Sequence, residues 1–179
     1  MMWRIQEKLL SLYTRKLIKT RCVVRASVGF QKAQKIGILY SADTLQKHNA
    51  VCQLATQLKK MGKQVSGLCY VTAPIQATNI AFTTITHRDI QLWGTITHPQ
   101  ARAFIHTPFD YLYQVDLTAH PVLDYLLARS QAKCRVGYYD TVRTNLFEMM
   151  VSFDKQPDSH EINDLTAQML YYTQLLREK

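Results

Sequence analysis

Residues 35–40, Lys-Ile-Gly-Ile-Leu-Tyr, and residues 64–71, Gln-Val-Ser-Gly-Leu-Cys-Tyr-Val, decide the fold. Each is a short, largely apolar run with the length of a buried strand. Between them, Ser41-Ala-Asp-Thr44 supplies helix-capping residues, whose side-chain oxygens take up the orphan N–H groups of a first turn. The apolar positions Leu45, Val51, Leu54, Ala55, Leu58 and Met61 then recur at helical spacing. Gly62 stands where a helix-terminating glycine would. Strand, helix and strand in that order predict a parallel pair joined by a right-handed crossover.

The alternation continues outward. Residues 72–80 contain Pro74 and read as loop, and Ala81 to Thr86 as a strand rich in β-branched residues. Pro99 to His106 reads as a short helix with proline in its first turn. Phe109 to Val115 is a strand, His120 to Ser130 a helix, Cys134 to Tyr138 a strand, and Met149 to Phe153 a further strand. A terminal helix from His160 to Arg177 sets Ile162, Leu165, Met169, Leu170, Tyr172 and Leu176 at apolar positions. The class is therefore α/β: a Rossmann-like or flavodoxin-like, mainly parallel sheet with helices on both faces. At 179 residues, with 47% hydrophobic and 20% charged, the chain fits one packed domain plus a short appendage. Six Gly and five Pro exclude collagen-like and low-complexity classes. No apolar run approaches the roughly 18 residues of a membrane-spanning helix.

The formal net charge of +9 is unevenly placed. Residues 1–35 hold nine Lys/Arg against one acid, Glu7, and the remainder is close to neutral. Residues 1–30 thus read as a basic, amphipathic helical arm on a single α/β domain, residues 31–179. At about 100° per residue, Trp3, Ile5, Leu9, Leu10, Leu12, Tyr13 and Leu17 share one half of the helical wheel, with Arg4, Lys8, Arg15 and Lys19 beside them. The plain alternative is that the apolar face docks on the domain, or on a second copy in a homodimer, and the basic face is merely solvated. The functional expectation is an anionic partner bound through Arg4, Lys8, Arg15, Lys16, Lys19, Arg21 and Arg25. RNA or the ribosome is expected ahead of a membrane surface. Tyr13 and Trp3 suit base stacking or a lipid interface. The arm lacks the apolar segment of a secretory signal, and it is richer in Lys and aromatics than a mitochondrial presequence, which favours the cytoplasm. Cys22, Cys52, Cys69 and Cys134 are widely spaced, without metal-site or redox pairing; Cys52 and Cys69 lie in apolar stretches and read as buried thiols.

No reaction is identified by motif. The turn after residues 35–40 has neither G-x-G-x-x-G nor a P-loop, so no dinucleotide or phosphate cradle is present. His87-Arg-Asp89 lacks the downstream Asn and upstream Gly-rich loop of a kinase. No G-x-S-x-G elbow and no paired-histidine metal motif occurs. Ligands of open α/β sheets bind at the carboxyl ends of strands. The candidates there are Ser41, Asp43, Thr44, Thr72, Asp116, Thr118, His120, Tyr139, Asp140 and Arg143. Asp116 and His120 have the spacing of an acid/base pair across a strand–helix junction; the plain alternative is that Asp116 or Thr118 caps the helix. Thr44 at a helix start suits a phosphate, and Arg143 an anionic group, against an ordinary loop. The expectation is a non-catalytic interaction protein without cofactor or metal. A small-molecule-binding domain is the alternative.

Four segments carry a resemblance: KIGILYSA (35–42), KKMGKQV (59–65), FDYLYQVDL (109–117) and AKCRVGYYD (132–140). With the basic arm, they resemble an uncharacterised family of small cytoplasmic proteins from Bacteroidetes, which implies no activity. Residues 109–117 and 132–138 also resemble the N-terminal half of heptosyltransferase-like sugar transferases. That likeness implies a nucleotide-sugar-binding ancestry and a residual half-enzyme, because such transferases hold the nucleotide-sugar with a second Rossmann-like domain.

Overall fold

Strand β1 (Lys35–Ala42) is buried from Ile36 to its end, as a strand covered on both faces must be. Its side chains alternate between two cores: Ile36, Ile38, Tyr40 and Ala42 on one face, Leu39 on the other. The structure, a computed structural model, describes residues 2–20, 25, 28–71, 82–91, 93–153 and 161–176, with side chains from Ile5 onward. Helix α1 (Met2–Thr20) precedes β1. After β1 come α2 (Leu45–Lys60), β2 (Gln64–Val71), β3 (Thr83–Ile85), α3 (Pro99–His106), β4 (Tyr111–Gln114), α4 (Pro121–Arg129), β5 (Cys134–Tyr138), β6 (Met149–Val151) and α5 (Glu161–Leu175). The expected loop at 72–80, and Thr72 with it, lies outside the described residues.

The strands form one six-stranded sheet in the order β3-β2-β1-β4-β5-β6, and every pairing is parallel. This is the Rossmann order rather than the flavodoxin order. Cores lie on both faces. One packs α2 and α5 against Tyr40, Tyr111 and Tyr113; the other packs α1, α3 and α4 against Leu39, Leu68 and Leu112. Winding reverses between β1 and β4: α2 leaves β1 toward one face, and α4 follows β4 onto the other. The crevice of such a sheet opens there.

Elements differ from the sequence reading mostly at their ends. β1 runs two residues past Tyr40, because Ser41 and Ala42 pair with Tyr70 and Val71. β3 stops at Ile85, because the Thr86 hydroxyl caps a single 3-10 turn (His87–Asp89) and Asp89 closes the capping box. The His-Arg-Asp tripeptide is that turn. Gly62 ends α2 with φ +78°, a conformation that side chains rarely adopt.

α1 docks along α4 and α3's face of the sheet, with Leu10 fully buried and Tyr13, Leu17 and Ile18 packed beside it. The buried line runs through Gln6, Leu10 and Thr14, rotated from the expected apolar half. Gln6 Nε2 donates to the carbonyls of Ile90 and His87, and the Thr14 hydroxyl donates to Leu10 O within the helix. Two polar residues are therefore buried with their bonds made, while Ile5 and Leu12 turn outward at 54% and 60% exposure.

Candidate functional site

At the β1–β4 reversal the sequence candidates Ser41, Asp43 and Asp116 come together around a residue outside the expected set, Lys47. Its ammonium donates to Ser41 Oγ (3.0 Å), Asp43 Oδ2 (2.8 Å) and Asp116 Oδ1 (2.8 Å), which uses all three of its protons. Ser41 donates to the same carboxylate through both its backbone N–H and its hydroxyl. Burial works to discharge Lys47, but Asp116 and Asp43 overcome it and hold the ammonium above its ordinary range. A protonated amine cannot act as a base for Ser41. The cluster is a closed electrostatic latch between the two central strands.

The latch borders the place where a dinucleotide fold receives phosphate, a cavity of about 380 Å³ lined by Asp43, Thr44, Lys47 and Thr118 among others. Thr44 caps α2, its hydroxyl accepting from Lys47 N at 3.2 Å. One first-turn N–H, that of Lys47, is thus met from within, and a cation stands in the first turn of the helix. A lysine there opposes the helix dipole, a weak signal in sequence because such a charge is usually solvated.

Asp116 is committed to Ser41 and Lys47, and no hydrogen bond joins it to His120 among those described for either residue. The cap of α4 is neither Asp116 nor Thr118 but His120, whose Nδ1 accepts from Val122 N at 3.3 Å. Its ring lies 4.8 Å from that of Tyr70. Burial, with Lys47 and Arg143 adding to it against the pull of Asp43, pushes the imidazole down to about 4. His120 is a neutral cap at ordinary pH.

The remaining candidates sit beyond β5. Tyr139 is half exposed. Asp140 accepts from Val142 N at 2.8 Å and shapes the turn. Arg143 is buried, at 6% exposure, and donates from one terminal nitrogen to Gln114 Oε1 (2.7 Å) and Asp124 Oδ1 (2.6 Å). Its guanidinium lies 5.1 Å from the centre of the Phe147 ring. Gln114 and Asp124 join the site only through the fold. Asp124 in the first turn of α4 has a favourable helix dipole besides.

Along α1, Lys8, Arg15, Lys16 and Lys19 are exposed. Arg25 turns inward instead, donating to Ser130 O and Ala132 O and lying 3.6 Å from Glu148 Oε1. These contacts tie Arg25 itself to the domain. Arg21 and Cys22 lie outside the described residues, and the Arg4 side chain does too. Cys52 is half-buried, and Cys69 and Cys134 are buried free thiols pushed up by burial to about 11 and about 12. Among the described residues no group of three or more His, Cys, Asp or Glu could hold a metal ion, and no helix is long and apolar enough to cross a membrane.

With the geometry in place, comparison with known families gives a match over residues 6–176, from the first turns of α1 to the end of α5, to the "Family of unknown function (DUF6913)". The chain belongs to this family. The DUF6913 match takes in α1 together with all six strands. DUF6913 membership agrees with the expected kinship to an uncharacterised family, and its description carries neither a source nor an activity. No curated protein and no solved structure matches the chain.

Proposed function

We propose that this protein is a non-catalytic interaction protein whose helix α1 binds an anionic partner, RNA or the ribosome. One observation carries this: α1 packs on the domain through Leu10, Tyr13, Leu17 and Ile18, yet Lys8, Arg15, Lys16 and Lys19 all stay in solvent, while its one acid, Glu7, is half-buried. Lys8 and Lys19 stand about 16 Å apart along the axis, at 1.5 Å per residue, a span suited to several successive phosphates. A helix ordered before binding also loses less entropy on association than a free arm. Ile5 and Leu12, exposed on the same helix, favour a second reading, an anionic membrane surface, since aliphatic side chains gain nothing from stacking on bases. Tyr13 is half-buried against the core. The alternative of a nucleotide-sugar domain has less support at the β1–β4 crevice, where Lys47 is already held by the carboxylates of Asp43 and Asp116, which repel an anion.

Removing residues 1–30 would strip Leu10 from the core, so point substitution is the sound test. Lys8→Gln/Lys16→Gln should leave the melting temperature unchanged and weaken co-sedimentation with single-stranded RNA and with ribosomes. Wild-type affinity should fall linearly on a log–log plot against salt, with a slope reduced by roughly 1.4 in the double variant. Wild-type sedimentation with anionic vesicles but not with RNA or ribosomes, lost on Leu12→Ser, would select the membrane instead. Binding to none of these would end the proposal.

A further inference from the structure

Between α1 and the loop after β5 lies a cleft of about 640 Å³. That is the size of small-molecule sites, roughly 300–1,000 Å³. It lies beyond the carboxyl ends of β4 and β5, on the α1 and α4 face, apart from the Lys47 latch.

Arg143 lines this cleft and is more than nine-tenths buried. One terminal nitrogen is satisfied by Gln114 and Asp124, and Phe147 underlies the guanidinium, so the group is fixed in place. Its Nε–H is buried and has no partner among the described residues. Buried donors are nearly always met, and a charged one is the strongest kind to leave open.

The charge around it has a definite sign and size. Arg15 and Lys19 of α1 also line the cleft, as do Asp124 and Asp140. Asp124 is neutralised by its pair with Arg143, and one Asp140 oxygen is taken by Val142 N. The surplus is a single positive charge, and the remaining Asp140 carboxylate opposes entry of a dianion. Apart from Ser11, Thr14 and Asn145, the rest of the lining is apolar and includes Ile18, Leu146 and Val142, the last 83% exposed. An apolar body lying on these side chains would cover Val142.

We propose that this cleft binds a small organic carboxylate with an apolar body, its carboxylate held by Arg15, Lys19 and the guanidinium of Arg143. Planar carboxylates accept from guanidinium groups in well-directed pairs. The site does not rest on the proposed partner of α1. Lys8 and Lys16 belong to the exposed face but not to the cleft, so substituting them tests that partner alone.

The test uses the full chain with benzoate as probe, and with benzyl alcohol, benzylamine and phenyl phosphate for comparison. Benzoate should raise the melting temperature saturably, by mass action on the folded state, and the alcohol and the amine should not. The Arg143 Nε–H resonance, assigned by its loss in Arg143→Lys, should move with the same dissociation constant. Arg15→Gln/Lys19→Gln alters only exposed side chains and should keep the fold while weakening benzoate roughly tenfold or more. Lys8→Gln/Lys16→Gln should not affect it. No saturable benzoate effect overturns the site. So does an Arg143 resonance that stays still, or equal binding by Arg15→Gln/Lys19→Gln. Tighter binding of phenyl phosphate than of benzoate overturns the carboxylate assignment.

Discussion

Lys47 Nζ lies 2.8 Å from Asp116 Oδ1, and the pair ties the helix after β1 to the end of β4 at the point where the winding of the sheet reverses. Neither charge has water to fall back on: the side chains are 10% and 2% exposed. The pair therefore matters most when one member is missing.

Lys47→Met should destabilise the chain by about 3–5 kcal/mol in urea unfolding, because Asp116 is left buried without its cation. Lys47→Met/Asp116→Asn should cost less than Lys47→Met alone. The folded-state ammonium is held above its ordinary value of 10.5. Its contribution is complete below about pH 10.5 and is lost as pH rises through the higher folded value. The wild type should thus lose stability on the alkaline side, and Lys47→Met should lose less over the same range.

His120 predicts an acid-side effect of opposite sense. Its folded value is about 4, against 6.5 for the free side chain. Stability is complete above about pH 6.5 and falls as pH drops toward 4, where the unfolded chain takes a proton that the folded chain refuses. The loss should be at most about 3 kcal/mol. His120→Asn keeps an oxygen for the cap of α4 and should flatten the dependence between those values in denaturation at a series of pH values.

Gly137→Ala should cost about 1–3 kcal/mol by overpacking. A Cβ there would stand 2.2 Å from Cε1 of Phe147, inside the ring's own volume. The ring must then shift, and it carries the Arg143 guanidinium on its face. Gly137→Ala/Phe147→Leu should cost less than the two single substitutions added together, a coupling that urea midpoints will measure.

Docking of α1 is tested by two leucines two residues apart. Leu10→Ala removes a fully buried side chain and should cost about 2–5 kcal/mol. Leu12→Ala, at 60% exposure, should stay within about 0.5 kcal/mol of wild type. Equal effects in chemical denaturation would mean that α1 is not seated as described.

Much of the site was legible as positions and little of it as contacts. Ser41, Asp43 and Asp116 stand at strand ends in any alternating α/β chain, so spacing alone marks them. Lys47 lies in the first turn of α2, where charge is usually solvated, and only the closeness of β1 and β4 turns it inward. Arg143 was visible as a loop arginine. Its burial depends on Gln114, Asp124 and Phe147, which lie up to 29 positions away in the chain.

The sequence by itself determined the alternation of strands and helices, the span of β2 and β5, the close of α2 at Gly62 and the concentration of charge before residue 36. These are local properties: hydrophobic period, capping chemistry and a glycine's access to positive φ act within a turn or two. Only the tertiary structure decided the strand order, which face of α1 is buried, and which polar groups are paired. Strand order rests on contacts between segments distant in the chain. The buried face of α1 includes Gln6, which reaches the Ile90 carbonyl, a partner that a helical wheel cannot contain. The pairings of Lys47 and Arg143 follow from burial, because a charge removed from water must find its counter-charge in whatever the fold brings beside it.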